Sequence, residues 1–513
     1  MEIFLTIMFA IIRLLDIISE PFFKCRAKNK KLNLPPIRND LLKISATELA
    51  SKIRRKQISS LDICEAYIER VKEVNPTLNA VVEDRFNEAL KEAKQVNSYL
   101  QTTSLSEAEL EKIKPLLGVP VTIKEACAVK GMTHCTGSLS RLGFTAENDA
   151  EAVAKLKCAG AIVLLVSNTP ELCLSWETFN YITGRTNNPY DPTCTSGGSS
   201  GGEGALLGSA ASLIGIGSDV AGSIRLPALF CGVFGHKPTS RIISIKGHWP
   251  MGQDDKYNDY LVVGPMARYA CDLKLMMKVL CNDKTSAELR LNESVDLTKL
   301  NVFFIEDIRS SVIQPYTSQD IKGVIEKSVK HLKEFYGSTI KDYKFKSFDN
   351  SWIVCNKEIT GIEDTPYPFK WEACGDCFDL FKSPFGKSRY TWNLWYFYIL
   401  DKLYKLIVSD YSVENEKMKK EVVEKLDNNG VIILPTFIDS ACKHNQMNFK
   451  VSYSHLSIAN ALGLPATSVP CGFDKEGMPI GVQVLAAPHQ DRLCLAVAEA
   501  LERYFGGWIE PPE

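Results

Sequence analysis

The chain has 513 residues, of which 45% are hydrophobic and 24% are charged, and this composition is ordinary for a globular protein. A net charge of −1 leaves no basic excess to neutralise phosphates, so it argues against a nucleic-acid-binding protein. The 16 cysteines are scattered along the chain, which favours reduced, buried thiols over a disulfide framework. The seven histidines and the isolated pair Cys374–Cys377 form no metal-ligand spacing, so we expect neither a metal nor a cofactor.

Residues 1–23 predict an apolar helix with one polar face, which carries Arg13, Asp16 and Glu20. Because a membrane-spanning helix needs about 20 mostly apolar residues, this segment is marginal for spanning and suited to lying in the bilayer interface. The basic residues that follow favour an anionic or cytoplasmic membrane surface. We therefore predict that residues 1–31 form a membrane-anchoring segment, spanning or interfacial, with the rest of the chain on the cytoplasmic side. The alternative is an N-terminal helix that packs into the core.

Residues 32–44 predict a linker, and residues 45–513 predict a single α/β domain. Capping residues and apolar faces indicate three helices in the first part of this domain, over 45–56, from Ser59 to Asn75–Pro76, and over 84–100. We expect these helices to cover one face of a sheet.

A short apolar strand over 119–124 ends at Lys124, and a helix and a second strand follow it. The same β–α–β alternation returns in the second half of the chain, over 300–305, 319–335, 339–343 and 431–434. Alternation of this kind predicts a central mixed, largely parallel, twisted sheet that is covered by helices on both faces. The segment 168–176 follows a strand end, where α/β proteins place ligand-binding loops.

Residues 191–238 are the stretch of the chain richest in glycine and serine. Two apolar runs, 205–207 and 213–216, indicate that it packs inside a domain instead of forming a flexible linker. We predict the succession loop, helix, strand, loop and helix, over 197–202, 203–209, 212–217, 218–223 and 224–230. Each loop then offers serine hydroxyls and free backbone N–H groups at a helix N-terminus, which is the geometry needed to hold an oxyanion. Tight turns without chemistry are one alternative, and a phosphate-binding loop is another, although its glycine motifs are missing.

The segments GVPVTIKEA around Lys124, GGSSGGEG around Ser199 and GSDVAGSIRLPALFCG around Ser223 resemble the amidase signature family. Their order and spacing fit the family pattern, and the resemblance covers roughly residues 45–500. It implies a Ser–Ser–Lys triad in which Ser223 is the nucleophile that forms the acyl-enzyme. Ser199 bridges the two other members and passes the proton between them, and a neutral Lys124 is the base.

The same resemblance places the oxyanion hole in the backbone N–H groups of Val220, Ala221, Gly222 and Ser223. The commonest family pattern has glycine at position 221, so Ala221 is a departure, and its N–H stays usable if its φ is negative. Cys173 and Ser199 are candidate substrate contacts, although a buried structural role is equally open for the cysteine.

Residues outside the triad are expected to support the site. Ser200 and Asp219 would hold the loops, and Arg225 would serve as an ion-pair partner or a carbonyl anchor. The aromatic-rich region 363–404 either packs on the body as a helix or caps an apolar substrate tunnel. Residues 460–483 resemble the family's C-terminal strand pair, to which we assign a scaffold role.

The segments RTNNPYD, GGEG and FGHKP are most like those of family members that hydrolyse long-chain fatty-acid amides. The implied reaction converts an N-acylethanolamine or a primary fatty amide to a fatty acid and an amine. The expected partners are an apolar amide, a membrane or lipid surface and, as an option, a second copy in a homodimer, with no nucleic acid. Alternatives are a small-molecule or aryl amidase, an amidotransferase subunit that acts on charged tRNA, and a catalytically dead, membrane-bound binding protein. The intact Lys124, Ser199 and Ser223 argue against the last of these.

Overall fold

An eleven-stranded mixed sheet forms the centre of the fold in the computed structural model, which describes residues 2–27, 33–252, 254–308, 315–360, 379–383, 387–407, 411–450 and 454–512. The strands are β1 (Val81–Asp84), β2 (Pro120–Lys124), β3 (Ile162–Ser167), β4 (Phe179–Asn180), β5 (Gly184–Arg185), β6 (Ile214–Asp219), β7 (Phe234–Lys237), β8 (Val262–Ala267), β9 (Asn301–Phe304), β10 (Thr339–Ile340), β11 (Gly430–Pro435), β12 (Ala466–Phe473) and β13 (Pro479–Ala486). Strands β4 and β5 form a separate ribbon, and the other strands belong to the large sheet.

The strand order is β1-β3-β2-β6-β8-β7-β12-β13-β11-β9-β10. Strand β2 is parallel to β3 and β6, and β9 is parallel to β11 and β10, whereas the other neighbouring pairs are antiparallel. The prediction of a mixed sheet is therefore confirmed, but the prediction that it is largely parallel is wrong. The β–α–β alternation produces parallel pairs towards the two ends of the sheet. In the middle, β12 and β13 are joined by a tight turn and not by a crossover helix, so they pair in the antiparallel direction.

Helices surround this sheet. They are α1 (Glu2–Ala27), α2 (Ala46–Arg54), α3 (Ser60–Leu78), α4 (Phe86–Thr102), α5 (Glu107–Ile113), α6 (Glu151–Cys158), α7 (Gly201–Gly208), α8 (Arg225–Phe230), α9 (Tyr257–Tyr260), α10 (Ala270–Leu280), α11 (Asp283–Glu288), α12 (Gln319–Tyr336), α13 (Ser351–Thr360), α14 (Trp392–Ile407), α15 (Ser412–Leu426), α16 (Ser454–Ala461) and α17 (Asp491–Phe505).

Both faces of the sheet carry helices, as predicted, and β11 shows how the two cores divide. Its side chains alternate between the faces because successive residues of a strand point in opposite directions. Val431 and Ile433 lie in the larger hydrophobic core with α12 and α17, whereas Ile432 and Leu434 lie in a second core with α15 and α16. Each such buried side chain contributes about 1.5–3 kcal/mol of hydrophobic free energy, so β11 stabilises both layers.

Helix α3 continues through Pro76 to Leu78, whereas the sequence prediction ended it at Asn75–Pro76. The helix ends at Asn79, whose backbone is left-handed (φ 50°) and whose N–H donates to the Asn75 carbonyl at 2.8 Å. The prediction failed because a proline in the last turn removes one N–H donor without preventing that closing bond.

The predicted linker packs against the domain. Leu34, Ile37 and Leu42 are buried in the larger core, and the Arg70 guanidinium donates a hydrogen bond to the Pro35 carbonyl at 2.7 Å. This segment therefore contributes apolar contacts as well as joining α1 to α2.

Helix α1 meets the body of the protein through its polar face. Asp16 accepts hydrogen bonds from Gln446 Nε2 (3.2 Å) and Lys450 Nζ (3.1 Å). The exposed apolar face of α1 consists of Ile7, Ile11, Leu14, Leu15, Ile17 and Ile18, each 47–64% exposed. Within the described residues, none of the helices combines the length and the apolar content that crossing a bilayer requires.

The aromatic-rich region is described in part. Helix α14 packs on the body, because its Leu394, Trp395 and Tyr398 form an apolar cluster with Leu172. The candidate cap residues 361–378 and 384–386, and with them the pair Cys374–Cys377, lie outside the described residues.

Candidate active site

Lys124 is the last residue of β2, a strand whose residues are all buried. Strand β2 runs between β3 and β6, and its register places Lys124 opposite Ser167. The Lys124 Nζ donates hydrogen bonds to Ser199 Oγ at 2.6 Å and to Ser218 Oγ at 2.9 Å. A buried amine therefore meets two hydroxyl groups at the carboxyl end of a parallel strand, where α/β folds place their ligand sites.

The glycine- and serine-rich stretch folds as predicted, with element boundaries that differ by at most two residues. Ser199 and Ser200 directly precede α7, and Ser223 lies in the loop between β6 and α8. The Ser200 N–H donates to the Ser223 carbonyl at 3.2 Å, so the two loops are joined through their backbones.

The structure brings Lys124 and Ser199 together but does not connect the two serine hydroxyls directly. Ser199 and Ser223 are 1% and 5% exposed, and among the described residues no hydrogen bond joins their Oγ atoms. Catalytic hydrogen bonds often tighten only when substrate is bound. The backbone link at Ser200 keeps the two serines on adjoining loops.

The oxyanion loop, residues 219–223, turns sharply at Gly222, whose φ of 100° favours glycine. The Gly222 N–H donates to Asp219 Oδ1 at 2.6 Å, so it is engaged inside the loop. Among the described residues, the N–H groups of Val220, Ala221 and Ser223 meet no acceptor. The φ of Ala221 is not positive, so the condition for a usable N–H at this position is met. Three of the four predicted donors are therefore free to receive an oxyanion, and the fourth shapes the loop.

A fully buried ion pair between Arg225 and Asp219 supports the oxyanion loop. Asp219 accepts two hydrogen bonds from Arg225, both at 3.1 Å, and Arg225 also donates to Gln483 Oε1 at 2.8 Å and to the Leu456 carbonyl at 2.8 Å. Burial alone would raise the pKa of Asp219, but the guanidinium and nearby donors lower it to about 2. The expected supporting roles of Asp219 and Arg225 are confirmed, since Arg225 is both an ion-pair partner and a carbonyl anchor.

The loop 168–176 borders the same site. Trp176 Nε1 donates to the Ala221 carbonyl at 2.9 Å, and its ring lies 5.0 Å from the ring of Phe397 in α14. Cys173 is half-buried, and its Sγ lies 3.3 Å from Thr169 Oγ1, which donates to the Ser199 carbonyl at 3.0 Å. Cys173 is thus linked to Ser199 through Thr169, and its contact with substrate stays a prediction.

Two buried carboxyl groups lie near Lys124. Glu203 accepts a hydrogen bond from Thr122 Oγ1 at 2.7 Å, and Glu125 accepts one from the Cys135 N–H at 2.5 Å. Burial raises the pKa of each carboxyl group to about 7. Among the described residues, neither carboxyl group forms an ion pair with Lys124, which is held by hydroxyl groups instead.

Sequence reasoning missed two residues at this site, Ser218 and His248. Ser218 is the second hydrogen-bond partner of Lys124, and His248 Nε2 lies 2.8 Å from Ser218 Oγ. Ser218 stands in the glycine- and serine-rich stretch and could have been found as a serine at a strand end. His248 is a single histidine in a polar turn, and no local pattern marks it. Among the described residues, no group of three His, Cys, Asp or Glu side chains could hold a metal ion.

Comparison with known proteins finds both a family and individual relatives of the chain. The Amidase family model matches residues 62–495. Fatty-acid amide hydrolase 2-A of Danio rerio is 39% identical over 491 residues, covering 93% of this chain and 92% of that protein. Fatty-acid amide hydrolase 2 of Homo sapiens is 38% identical over 490 residues, with coverage of 93% and 92%. The solved structure of a fatty acid amide hydrolase, at 24% identity, has the same fold, with a TM-score of 0.71 over 92% of this chain and 87% of that chain.

Proposed function

This chain belongs to the amidase signature family and is an amide hydrolase, and from that premise we propose that it cleaves long-chain fatty-acid amides into a fatty acid and an amine. The observation that carries the proposal is the 2.6 Å hydrogen bond between Lys124 Nζ and Ser199 Oγ. It occurs in a chain that is 38–39% identical to fatty-acid amide hydrolases over nearly its whole length. The Ser–Ser–Lys triad is part of the same proposal.

Acylation begins at Ser223. The Ser223 hydroxyl gives its proton to Ser199 Oγ, and Ser199 passes its own proton to the neutral Nζ of Lys124. The Ser223 oxygen bonds to the amide carbonyl carbon, and the carbonyl oxygen becomes an oxyanion. The N–H groups of Val220 and Ala221, with that of Ser223, are available to bind this oxyanion.

The same relay then runs in reverse. Lys124, now protonated, returns the proton through Ser199 to the amine as the C–N bond breaks, because an amine leaves far more easily when it is protonated. Water attacks the acyl-enzyme and loses its proton to the relay. The fatty acid departs, and the proton returns to Ser223, so that protons and bonds balance over the cycle.

An apolar substrate is supported by the surroundings of α1. This helix contacts residues 447–449, and Met447 shares an apolar cluster with Trp176 and Ala221 next to the oxyanion loop. We infer that α1 lies in a membrane surface, because the exposed apolar face defined above is unusually large for a water-facing helix. A substrate dissolved in that membrane would then meet the enzyme on the side where α1 contacts residues 447–449.

Removing residues 1–30 should shift the protein from the membrane pellet to the soluble fraction. The reason is that the exposed apolar face of α1 supplies the membrane affinity in this proposal. A finer variant, Leu14→Glu with Ile18→Glu, keeps the bond between Asp16 and Lys450 and should have the same effect. Sedimentation with liposomes measures both, with Asp16→Asn as the matched change on the polar face. Unchanged sedimentation of the truncated protein would contradict the membrane role.

The substrate class is tested by the dependence of kcat/KM on acyl chain length. We expect kcat/KM to rise by about fourfold for each methylene that becomes buried, since burying one contributes about 0.8 kcal/mol. The measurement uses detergent-solubilised protein and a series of primary amides from acetamide to oleamide, with an aryl amide beside them.

The other outcomes of this experiment are equally informative. A flat profile, or one that favours the aryl amide, would overturn the fatty-amide proposal and leave a small-molecule amidase. Absence of turnover on every amide, in a protein that is folded by circular dichroism, would support the catalytically dead alternative.

A further inference from the structure

The amine of Lys124 has a second partner that the triad leaves unexplained. Its Nζ donates to Ser199 and also to Ser218 Oγ, at 2.9 Å. Ser218 Oγ in turn lies 2.8 Å from Nε2 of His248, a buried residue from the loop between β7 and β8. The buried chain His248–Ser218–Lys124 therefore reaches the proposed base through a hydroxyl group other than that of Ser199.

The hydrogen-bond partners of His248 determine which ring nitrogen carries the proton. Nδ1 lies 3.0 Å from the Pro250 carbonyl oxygen, which can only accept a hydrogen bond. Nδ1 must therefore carry a proton. Burial, together with the nearby charge of Lys124, lowers the pKa of His248 to about 3, so the ring is neutral and has a single N–H. Nε2 is then an acceptor.

The direction of every bond in the chain follows from that tautomer. The hydroxyl proton of Ser218 points to Nε2, so the Ser218 lone pairs face Lys124 and accept one of its N–H groups. In the neutral amine, the nitrogen lone pair is then left for the hydroxyl proton of Ser199. If the Ser218 hydroxyl could rotate, it would donate to that lone pair and compete with Ser199.

We propose that His248 is a positioning residue, which keeps the Ser218 hydroxyl turned away from Lys124 and so reserves the Lys124 lone pair for the proton of Ser199. This inference rests on the proposed function, because it assigns Lys124 the role of base. It adds a residue from outside the three family motifs to the proton relay.

The backbone holds His248 in place for this role. The residues on either side of it bond to the turn that follows Lys124, through Ala128 N–H to the Gly247 carbonyl (3.0 Å) and Trp249 N–H to the Ala126 carbonyl (2.8 Å). The position of the imidazole relative to the end of β2 is therefore fixed by main-chain hydrogen bonds. The other titratable groups near the chain are His134 beside His248, Tyr257, which donates to the same Pro250 carbonyl, and Cys127, Glu125 and Glu203 beside Lys124.

Two amide substitutions distinguish the roles of the two ring nitrogens of His248. His248→Gln can present its side-chain oxygen at the place of Nε2 and keep an acceptor for Ser218, whereas His248→Asn reaches only the Pro250 carbonyl. We expect His248→Asn to lower kcat by about 10- to 100-fold, the equivalent of one hydrogen bond to a charged group, with little change in KM. His248→Gln should stay within about threefold of the parent, a difference worth well under 1 kcal/mol.

The pH dependence of kcat tests the positioning role, because a purely structural role of His248 would leave the acid limb of this profile unchanged. In His248→Asn the Ser218 hydroxyl is free to donate to the neutral amine, so the acid limb of the kcat profile should move to lower pH. In His248→Gln it should stay where it is in the parent. His134→Gln is the matched control, since it alters a second buried histidine near His248, whose Nε2 contacts the Ala126 carbonyl and not Ser218.

The opposite ranking, with His248→Asn active and His248→Gln impaired, would overturn the proposal in favour of a simple anchor on Pro250. Two variants with parent-like kcat and acid limbs would overturn it as well. If His248→Asn fails to fold, His248→Leu tests the same chain, because leucine also lacks an acceptor at the place of Nε2, and a parent-like kcat and acid limb there would overturn the proposal. Nitrogen NMR of histidine-labelled protein distinguishes this inference from the proposed function, because it reports the His248 tautomer without any turnover. Protonated Nδ1 and bare Nε2 at neutral pH are expected, and any other state would refute the tautomer.

Discussion

Ser223→Ala is expected to lower kcat on a long-chain amide by about 10⁴-fold or more and to abolish covalent labelling by a fluorophosphonate probe. The expected loss is large because, in the proposed mechanism, this side chain supplies the oxygen that forms the acyl-enzyme. Ser223 is only 5% exposed, and alanine keeps its backbone N–H, so the oxyanion loop and the fold should survive. Single-turnover kinetics and mass spectrometry of the labelled protein measure the two effects.

Ser200→Ala is the matched control for this result. Ser200 is also buried and lies on the adjoining loop, before α7, but its hydroxyl contacts the backbone of Ser218, at 3.4 Å, and not Lys124. Its removal should cost less than about tenfold in kcat, the equivalent of one weak hydrogen bond. Labelling that persists in Ser223→Ala, or an equal loss in Ser200→Ala, would mean that the nucleophile is wrongly assigned.

The second large effect is expected at the ion pair beneath the oxyanion loop. Arg225→Met should lower the free energy of unfolding by about 3–5 kcal/mol, because it leaves the fully buried Asp219 carboxylate without its partner. Activity should fall with it, since Asp219 also accepts the N–H groups of Gly222 and Ile224. Denaturant unfolding at neutral pH measures the change.

The pH dependence of this effect has a definite sign. The pKa of Asp219 in the folded protein is about 2, below its ordinary value of 3.8. Its contribution to stability is therefore present above pH 3.8 and is lost as the pH falls through about 2. Arg225→Met should thus differ most from the parent near neutral pH. Arg241→Met, which breaks two exposed ion pairs, with Asp255 and Asp259, whose side chains are 46–81% exposed, should cost less than about 1 kcal/mol. Equal losses in the two variants would contradict the buried-pair account.

Much of the site was predictable because its residues lie in short segments with local patterns. The buried run that ends at Lys124 and the loops around Ser199 and Ser223 were predicted with boundaries that differ by at most two residues. Each of these elements is specified by neighbouring residues: apolar side chains for the strands, and glycine with serine for the loops.

What the sequence did not predict depends on residues that are distant along the chain. The hydrogen bond between Ser218 and His248 joins the end of β6 to the loop between β7 and β8, 30 residues further along the chain, and His248 carries no local signal. The engagement of the Gly222 N–H by Asp219 is local, but it depends on a side-chain rotamer that no pattern specifies. The antiparallel centre of the sheet was missed for the first of these reasons, since pairing of β7 with β12 joins residues 235–237 to residues 466–468.

The position of β12 and β13 in the strand order has a consequence for biosynthesis. These strands, Ala466–Phe473 and Pro479–Ala486, occupy the middle of the sheet, between β7 and β11, although they follow the other strands of the sheet in the sequence. Until they leave the ribosome, the nascent chain has two unpaired strand edges where the finished protein has its most enclosed strands. A product of premature termination would therefore lack central strands of the sheet and keep its edge strands, and we expect such a product to aggregate.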